Sequence, residues 1–183
     1  EKRDAVLSGK YPSSLYAQDD KKNYELAVGG QYTTDLFSVL GIEYYYQSEG
    51  YSKAAWREQT DFIKLLSNKT GLSSLDKIFD DYKYLMGSEI SNTGNKGMLQ
   101  GRHYINSWLS LQNTDHSTFQ PYLVMNLVDG SALIGTHYIK PVKGLGERVE
   151  IYSGFYSALG HRDSEFALFG ETLGIYVGFK YYL

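Results

Sequence analysis

The sequence predicts an all-β protein whose antiparallel strands follow one another in chain order. Several stretches alternate apolar and polar residues with a period of two, the pattern of a strand with two different faces. The 183 residues include 18 Tyr and 19 Gly but 3 Pro and no Cys. Tyr favours strands, and Gly permits tight turns and close strand approach. No strand-helix-strand pattern occurs, so a meander is the natural topology.

The alternation is most regular in the closing stretch, residues 172–183. One face carries Leu173, Ile175, Val177, Phe179, Tyr181 and Leu183. The other face carries Thr172, Gly174, Tyr176, Gly178, Lys180 and Tyr182. Strands of globular proteins usually have about five or six residues. This stretch is as long as a strand that crosses a membrane needs to be.

Charge and composition exclude several classes of function. The net charge is -3, and Lys and Arg are scattered singly, so we expect no nucleic-acid partner. Without Cys the chain has no disulfide, no thiolate nucleophile and no Cys-type zinc site, and no other metal or cofactor motif occurs. No apolar run approaches the length of a transmembrane helix. The chain starts at Glu1 without a signal-peptide pattern, which suits a processed or truncated protein.

Alternation predicts about seven strands after an N-terminal segment, residues 1–22, that is either loop or an additional first strand. The predicted strands are 24–32, 36–47, 102–112, 119–128, 132–140, 148–159 and 172–183. Pro121 is expected near a strand start or a bulge, and Asp129-Gly130 marks a tight hairpin. The strand-forming part, residues 23–183, is interrupted by an insertion at 49–101.

The insertion is predicted to carry two short amphipathic helices. In the first helix Trp56, Phe62, Ile63 and Leu66 have helical spacing, with Ser52 as the N-cap. In the second, Leu75, Ile78, Phe79, Tyr82 and Leu85 repeat the pattern after Ser73 and Ser74 as possible caps. The stretch 87–97 is predicted to be loop.

The strands of roughly ten residues, the tyrosine-rich strand ends "EYYYQ" and "GFKYYL", and the closing strand "TLGIYVGFKYYL" resemble the C-terminal region of a Gram-negative outer-membrane β-barrel protein of the porin-like kind. The resemblance covers residues 23–183. It implies a transmembrane up-and-down barrel, or its C-terminal part, in contact with outer-membrane lipid. It also implies that Phe179, Tyr181 and Leu183 form the assembly signal, although the family's last residue is most often Phe.

If the last strand ends in the periplasm, as the resemblance implies, the insertion lies outside the cell and the turns at 33–35, 113–117 and 140–147 lie in the periplasm. Bacterial single-chain barrels have an even number of strands. We therefore expect either an eighth strand within residues 5–16, or a larger barrel completed by a preceding segment or another subunit.

Inward-facing charges of both signs predict a water-filled pathway, because Arg or Lys facing lipid costs roughly 2 to 4 kcal/mol at the midplane. The predicted lumen-lining residues are Glu25, Gln31, Glu43, Arg102, Asn106, Gln120, Asn126, Arg148, Glu150, Tyr152, Tyr176 and Lys180. The leading hypothesis is a pore for solutes or an exported polymer. In a small barrel the same residues would instead fill the interior.

Three other interpretations stay open at this point. The first is a closed barrel that displays the insertion to a partner or ligand. The apolar side chains of the insertion, Trp56, Phe62 and Tyr82, would then constrict the barrel mouth, form a platform for a partner, or pack against neighbouring loops. A lipid-modifying enzyme would need a nucleophile and base such as Ser131 or Ser153 with His137, but no third group completes such a set, and we expect no catalysis. A soluble barrel or sandwich would use the apolar faces as its core.

Overall fold

The computed structural model describes residues 23–34, 38–95, 99–142, 148–169 and 173–182, with the backbone alone for 85–95. The predictions for residues 1–22 and for Leu183 lie outside this part of the chain. The strands are β1 Glu25–Thr33, β2 Val39–Gln47, β3 His103–Gln112, β4 Thr118–Asn126, β5 Ala132–Pro141, β6 Val149–Leu159 and β7 Leu173–Tyr181.

The strands form one sheet in chain order, and every neighbouring pair is antiparallel. This confirms the predicted all-β, up-and-down class. Within the described residues the sheet is not closed, because β1 pairs only with β2 and β7 only with β6.

The sheet has two chemically different faces, fixed by strand alternation and pairing register. The first, here called the apolar face, includes Val28, Ile42, Ile105, Leu123, Ile134, Phe155 and Ile175. The opposite face, here called the polar face, includes Glu43, Asn106, Gln120, His137, Tyr152 and Tyr176. Exposure of the apolar side chains is highest on the outer strands, reaching 79% at Ile175, whereas Ile105, Leu123 and Ile134 are half-buried.

The connections alternate between two ends of the sheet. β1 and β2, β3 and β4, and β5 and β6 are joined at one end of the sheet, here called the short-turn end. β2 and β3, β4 and β5, and β6 and β7 are joined at the opposite end, here called the loop end. This distribution follows from the antiparallel strand order.

Pro121 lies inside β4 rather than at its start. The pairing of β3 with β4 is interrupted opposite it, between Trp108↔Tyr122 and Leu111↔Phe119, because proline has no backbone N–H to donate. Nε2 of Gln120 donates to Oγ of Ser110 at 3.2 Å across this interruption. The register is the same on both sides, so the strand continues without a bulge.

Residues Tyr51–Gln100 belong to a compact unit that is separate from the sheet. It contains α1, Lys53–Leu66, and α2, Ser73–Asn95. Phe62, Leu66, Phe79 and Tyr82 form its core, and the rings of Phe62 and Tyr82 meet edge to face at 6.5 Å. The two predicted helices are therefore present, and their apolar stripes pack on each other.

Two details of the predicted helices are wrong. Residues 87–95, expected as loop, continue α2, since extending an existing helix costs far less than starting one. Ser73 and Ser74 do not cap α2, because its first turn is closed by the bond from Asp76 N to Leu72 O. Instead, the Asp76 carboxylate accepts hydrogen bonds from the N–H and the hydroxyl of Thr70, at 2.7 and 2.8 Å.

The cap of α1 is as predicted, and it gives a first test. Oγ of Ser52 accepts the N–H of Ala55 at 3.3 Å, which satisfies a donor that the helix cannot pair internally. Ser52→Ala is expected to lower the stability of the helical unit by about 1 kcal/mol. Hydrogen exchange of the α1 amides measures this cost. Thr60→Ala, which removes an exposed hydroxyl within the same helix, is the matched control and should change exchange little.

The predicted loop between β6 and β7 contains a short helix that the sequence did not reveal. This helix, α3, spans Glu165–Phe169. It begins after Ser164, whose carbonyl oxygen accepts the N–H of Leu168 at 3.0 Å.

Candidate functional site

The polar face gathers most of the residues predicted to line a lumen. Apart from Arg102 and Arg148, all of them lie on this face. Glu43 stands opposite Asn106, whose Nδ2 donates to Oε1 of Glu43 at 3.3 Å. Glu150 stands opposite Lys180 in the next pair of strands.

The two arginines lie just before strands β3 and β6, respectively. Nε of Arg102 donates to the carbonyl oxygen of Gly50 at 3.0 Å. The carbonyl oxygen of Arg148 accepts the N–H of Tyr182 at 2.8 Å. They therefore belong to the ends of the face, with Arg102 at the loop end and Arg148 at the short-turn end.

Strands β6 and β7 carry complementary patterns on the polar face. β6 has the pattern Tyr-x-Gly-x-Tyr and β7 has Gly-x-Tyr-x-Gly, and the antiparallel register sets each tyrosine opposite a glycine. The pairs are Tyr152 with Gly178, Tyr176 with Gly154, and Tyr156 with Gly174. A Cβ at any of these glycines would collide with the opposite ring.

The same arrangement occurs at Gly135, opposite Tyr122, and at Gly41, opposite Trp108. Each ring occupies the space above a glycine, so it lies against the sheet instead of projecting away from it. Gly174, Tyr176 and Gly178 were predicted to share one face and Tyr152 to line the lumen, but the pairing of tyrosine with glycine was not predicted. The alternation of tyrosine and glycine in two neighbouring strands was the available signal.

His137 belongs to this aromatic surface. Its Nδ1 lies 2.8 Å from the hydroxyl of Tyr176, and the two rings stack at 5.8 Å. The serines considered as its catalytic partners are elsewhere. Ser153 lies on the apolar face beside Val177, and the hydroxyl of Ser131 donates to Oδ1 of Asp129 at 2.7 Å. The fold therefore does not bring together the nucleophile and base considered from sequence.

A buried hydrogen-bonded cluster, here called the loop-end cluster, consists of Tyr104, Asn126, Asp129, Ser131 and Glu165. Tyr104 and Asn126 are paired across β3 and β4 on the polar face. Both donate to Oε2 of Glu165, each at 2.6 Å. Glu165 is only 2% exposed, and Tyr104 and Asn126 are fully buried.

Asn126 was predicted from the sequence to line the lumen, whereas Glu165 and its contacts with Tyr104 and Asn126 were not predicted. Glu165 is 61 positions from Tyr104 along the chain, and nothing in the local sequence indicates that a loop glutamate reaches a strand tyrosine. The N–H of Gly101 also bonds to the Tyr104 hydroxyl. Several chain connections thus meet at the loop end of the polar face.

The other residues selected from sequence have different surroundings. Trp56, Phe62 and Tyr82 are buried. Phe62 and Tyr82 belong to the core of the helical unit, and Trp56 meets Tyr51 edge to face at 5.7 Å. Being buried, these three side chains do not form an exposed platform. Of the proposed assembly signal, Phe179 and Tyr181 are exposed on the apolar face.

The turn between β3 and β4, at the short-turn end, carries Asp115, whose side-chain pKa is well below its ordinary value. The Asp115 side chain accepts hydrogen bonds from the hydroxyl and the N–H of Ser117, at 2.6 and 3.1 Å, and Nζ of Lys140 lies 3.4 Å away. These contacts lower the pKa of Asp115 to about 2. The ionised form thus stabilises the folded turn.

The pH dependence follows from the sign of this shift. The folded-state pKa lies below the ordinary value of 3.8, so the stabilising contribution is complete above about pH 4 and is lost as the pH falls towards 2. Carboxyl-carbon NMR titration measures the shift. Ser117→Ala is expected to raise the pKa of Asp115 more than Lys140→Gln, because the bonds from Ser117 are the larger cause. A larger effect of Lys140→Gln would contradict this assignment.

Within the described residues there is no group of three or more His, Asp or Glu side chains arranged to hold a metal ion. No helix in the described part of the chain is long and apolar enough to span a membrane. No known protein family, curated protein or solved structure matches this chain. The fold and its polar face therefore provide the basis for a functional proposal.

Proposed function

We propose that this chain forms part of a transmembrane β-barrel in the Gram-negative outer membrane, whose polar face lines a pore for solutes or an exported polymer. The observation that carries the proposal is the division of seven adjoining strands into one exposed apolar face and one polar face. Outer-membrane lipid is the proposed surrounding of the apolar face.

The apolar face is too exposed for a surface in water. On β7 alone, Ile175, Val177 and Phe179 are 79%, 77% and 74% exposed. Soluble monomers rarely expose apolar patches beyond about 300 to 600 Å², whereas this face continues across all strands. Lipid tails would cover it without a second protein layer.

Strand length and aromatic placement fit the same environment. Strands of 9 to 11 residues extend about 30 to 36 Å at roughly 3.3 Å per residue, enough for a tilted strand to cross an apolar band about 25 Å tall. Tyr32, Tyr138 and Tyr181 lie on the apolar face towards the short-turn end. Tyr46 and His103 lie at the loop end, with ring centroids 5.1 Å apart. Such aromatic residues favour the two interfaces of a bilayer.

The tyrosine rings that lie flat on the polar face favour an open aqueous lumen. A barrel interior filled by side chains would instead need rings that project away from the sheet. Because Tyr152, Tyr156 and Tyr176 lie over glycines of the neighbouring strand, their bulk stays close to the wall. Charged side chains of both signs share this face, and an aqueous lumen would solvate them.

Closure of the barrel requires strands beyond β1 to β7. β1 and β7 run in the same direction, since an even number of antiparallel pairings separates them, so joining them directly would create a parallel seam. An odd number of additional strands permits antiparallel pairing throughout. We propose that a preceding segment of the same barrel or another subunit supplies them.

Planar-bilayer recording of the complete barrel, purified with the segment or subunit that supplies the remaining strands, tests the pore. We expect stepwise conductance, and Glu43→Lys is expected to shift the reversal potential towards anion selectivity because it reverses a charge on the polar face. Glu43→Gln should shift it less in the same direction. Conductance that is absent, or a selectivity unaffected by both variants, would remove the pore interpretation.

A second candidate is a closed barrel that displays the helical unit to a partner. The independent core of this unit, formed by Phe62, Leu66, Phe79 and Tyr82, favours it. For this function we expect heat-modifiable migration in detergent, as for any stable barrel, without conductance. Deleting residues 51–100 would then abolish partner binding and leave the migration unchanged.

A further inference from the structure

The short helix α3 is attached to the polar face of the sheet. Tyr104 and Asn126 lie on the same face as Glu43 and Tyr122, as strand alternation and register require. Both point their polar groups at Glu165, the first residue of α3. The start of α3 therefore lies at the loop end of the sheet, on the side that carries the charges.

The attachment uses both the side chain and the backbone of Glu165. Oε2 accepts the hydroxyl of Tyr104 and the amide of Asn126, and the N–H of Glu165 donates to Oδ2 of Asp129 at 2.6 Å. Asp129 is held in turn by the N–H and hydroxyl of Ser131, at 2.9 and 2.7 Å. A carboxylate buried to this degree is stable only when such donors replace water.

The chain leaving β6 is shaped for this fold-back. Gly160 has a φ of +154°, which side-chain-bearing residues rarely adopt, and a Cβ there would meet Ser131 and Ser164. The hydroxyl of Ser164 is buried and has no hydrogen-bond partner in the described structure. Burial of an unpaired hydroxyl is unfavourable, so the position of α3 is imposed by its neighbours and not by Ser164.

We propose that α3 is a constriction at the loop end of the pore, held on the polar face by Glu165. This inference rests on the proposed pore function, because a constriction needs a pathway to narrow. Glu165 is a positioning residue here: its carboxylate contacts Tyr104 and Asn126, and α3 narrows the opening.

Cysteine labelling tests the attachment without reference to conductance. The chain has no Cys, so the S164C thiol is a unique probe at a site that is 2% exposed and makes no hydrogen bond to lose. We expect a membrane-impermeant maleimide to label S164C slowly, and at least tenfold faster when Glu165→Ala is added. Glu165→Gln, which keeps an acceptor oxygen, should accelerate labelling less.

Ala167→Cys is the matched control, because Ala167 is exposed on the same helix. It should label rapidly with and without Glu165→Ala. If Glu165→Ala prevents folding, as judged by heat-modifiable migration, Asn126→Ala removes one of the two donors from the strand side and should also accelerate S164C labelling. Slow labelling that neither variant changes would overturn the attachment.

Conductance then tests the constriction. In planar bilayers, Glu165→Ala is expected to increase single-channel conductance over the wild-type protein. Faster labelling with unchanged conductance would overturn the constriction while leaving the pore in place. If the wild-type protein and every variant fail to conduct, the pore is overturned and the constriction with it, and labelling still decides whether Glu165 attaches α3.

Discussion

Val28→Arg is expected to lower the free energy of unfolding from lipid vesicles by about 2 to 4 kcal/mol, the cost of an Arg that faces lipid near the midplane of a barrel. Val28 lies in β1 on the apolar face and is 58% exposed. Because it is not packed in a core, the change removes little protein–protein contact. Most of the expected cost therefore comes from moving a guanidinium into hydrocarbon.

Ala27→Arg is the matched control for this substitution. Ala27 is the preceding residue of β1, is also exposed and lies on the polar face. An Arg there would enter the proposed aqueous lumen and should change the free energy of unfolding by less than about 1 kcal/mol.

Urea unfolding in vesicles, followed by tryptophan fluorescence and heat-modifiable migration, measures both variants. A large cost at Val28 with a small cost at Ala27 identifies the apolar face as the lipid face. Equal costs would contradict that orientation. The reverse order would place lipid on the charged face, which would also reject the proposed pore.

The faces of the sheet could be predicted because a strand fixes its side-chain directions locally. Alternation alone assigned Leu173, Ile175, Val177 and Phe179 to one face, and no long-range information was needed. Strand order was equally accessible, since strands that follow one another in the chain usually lie next to each other in a sheet. Helix boundaries were less accessible. The Gly and Asn residues near the end of α2 are weak helix formers, but the helix continues through them to Asn95.

The candidate site was less predictable because its contacts join distant parts of the chain. Tyr104 meets Glu165 only after β3, β4 and the β6–β7 connection are all in place. α3 itself has five residues, too few to show a helical period. Closure of the proposed barrel also lies beyond local patterning, because it depends on which strands would pair with the edges of β1 and β7 that have no neighbour within the described residues.

The tyrosine–glycine pairs were only partly predictable from the sequence. Their residues were assignable to one face, but their contacts depend on a register in which Gly154 meets Tyr176 and not its neighbours. A shift of the register by two residues would keep every side chain on its face and set Tyr156 opposite Tyr176. The pairs therefore favour one register over alternatives that the period-two pattern alone allows.

This role makes Gly154 the position where a single added methyl should cost most within the sheet. A Cβ there would meet the backbone oxygen of Thr136 as well as the ring and hydroxyl of Tyr176. The backbone of a central strand cannot move as a flexible side chain can, and Tyr176 would also lose its contact with His137. We expect Gly154→Ala to lower the free energy of unfolding by about 1 to 3 kcal/mol, as overpacked sites do.

Gly30→Ala provides the control, because a Cβ at Gly30 meets nothing within 4 Å. Gly30 is a strand residue on the apolar face, so its replacement should be neutral or slightly stabilising through reduced freedom of the unfolded chain. Gly178→Ala should lie between the two, because the nearest atoms that a Cβ there would meet belong to the movable ring of Tyr152. Urea unfolding in vesicles gives the order of stability. If Gly154→Ala is as stable as Gly30→Ala, the tyrosine rings do not need glycine opposite them. The tyrosine–glycine pairs then do not select the strand register.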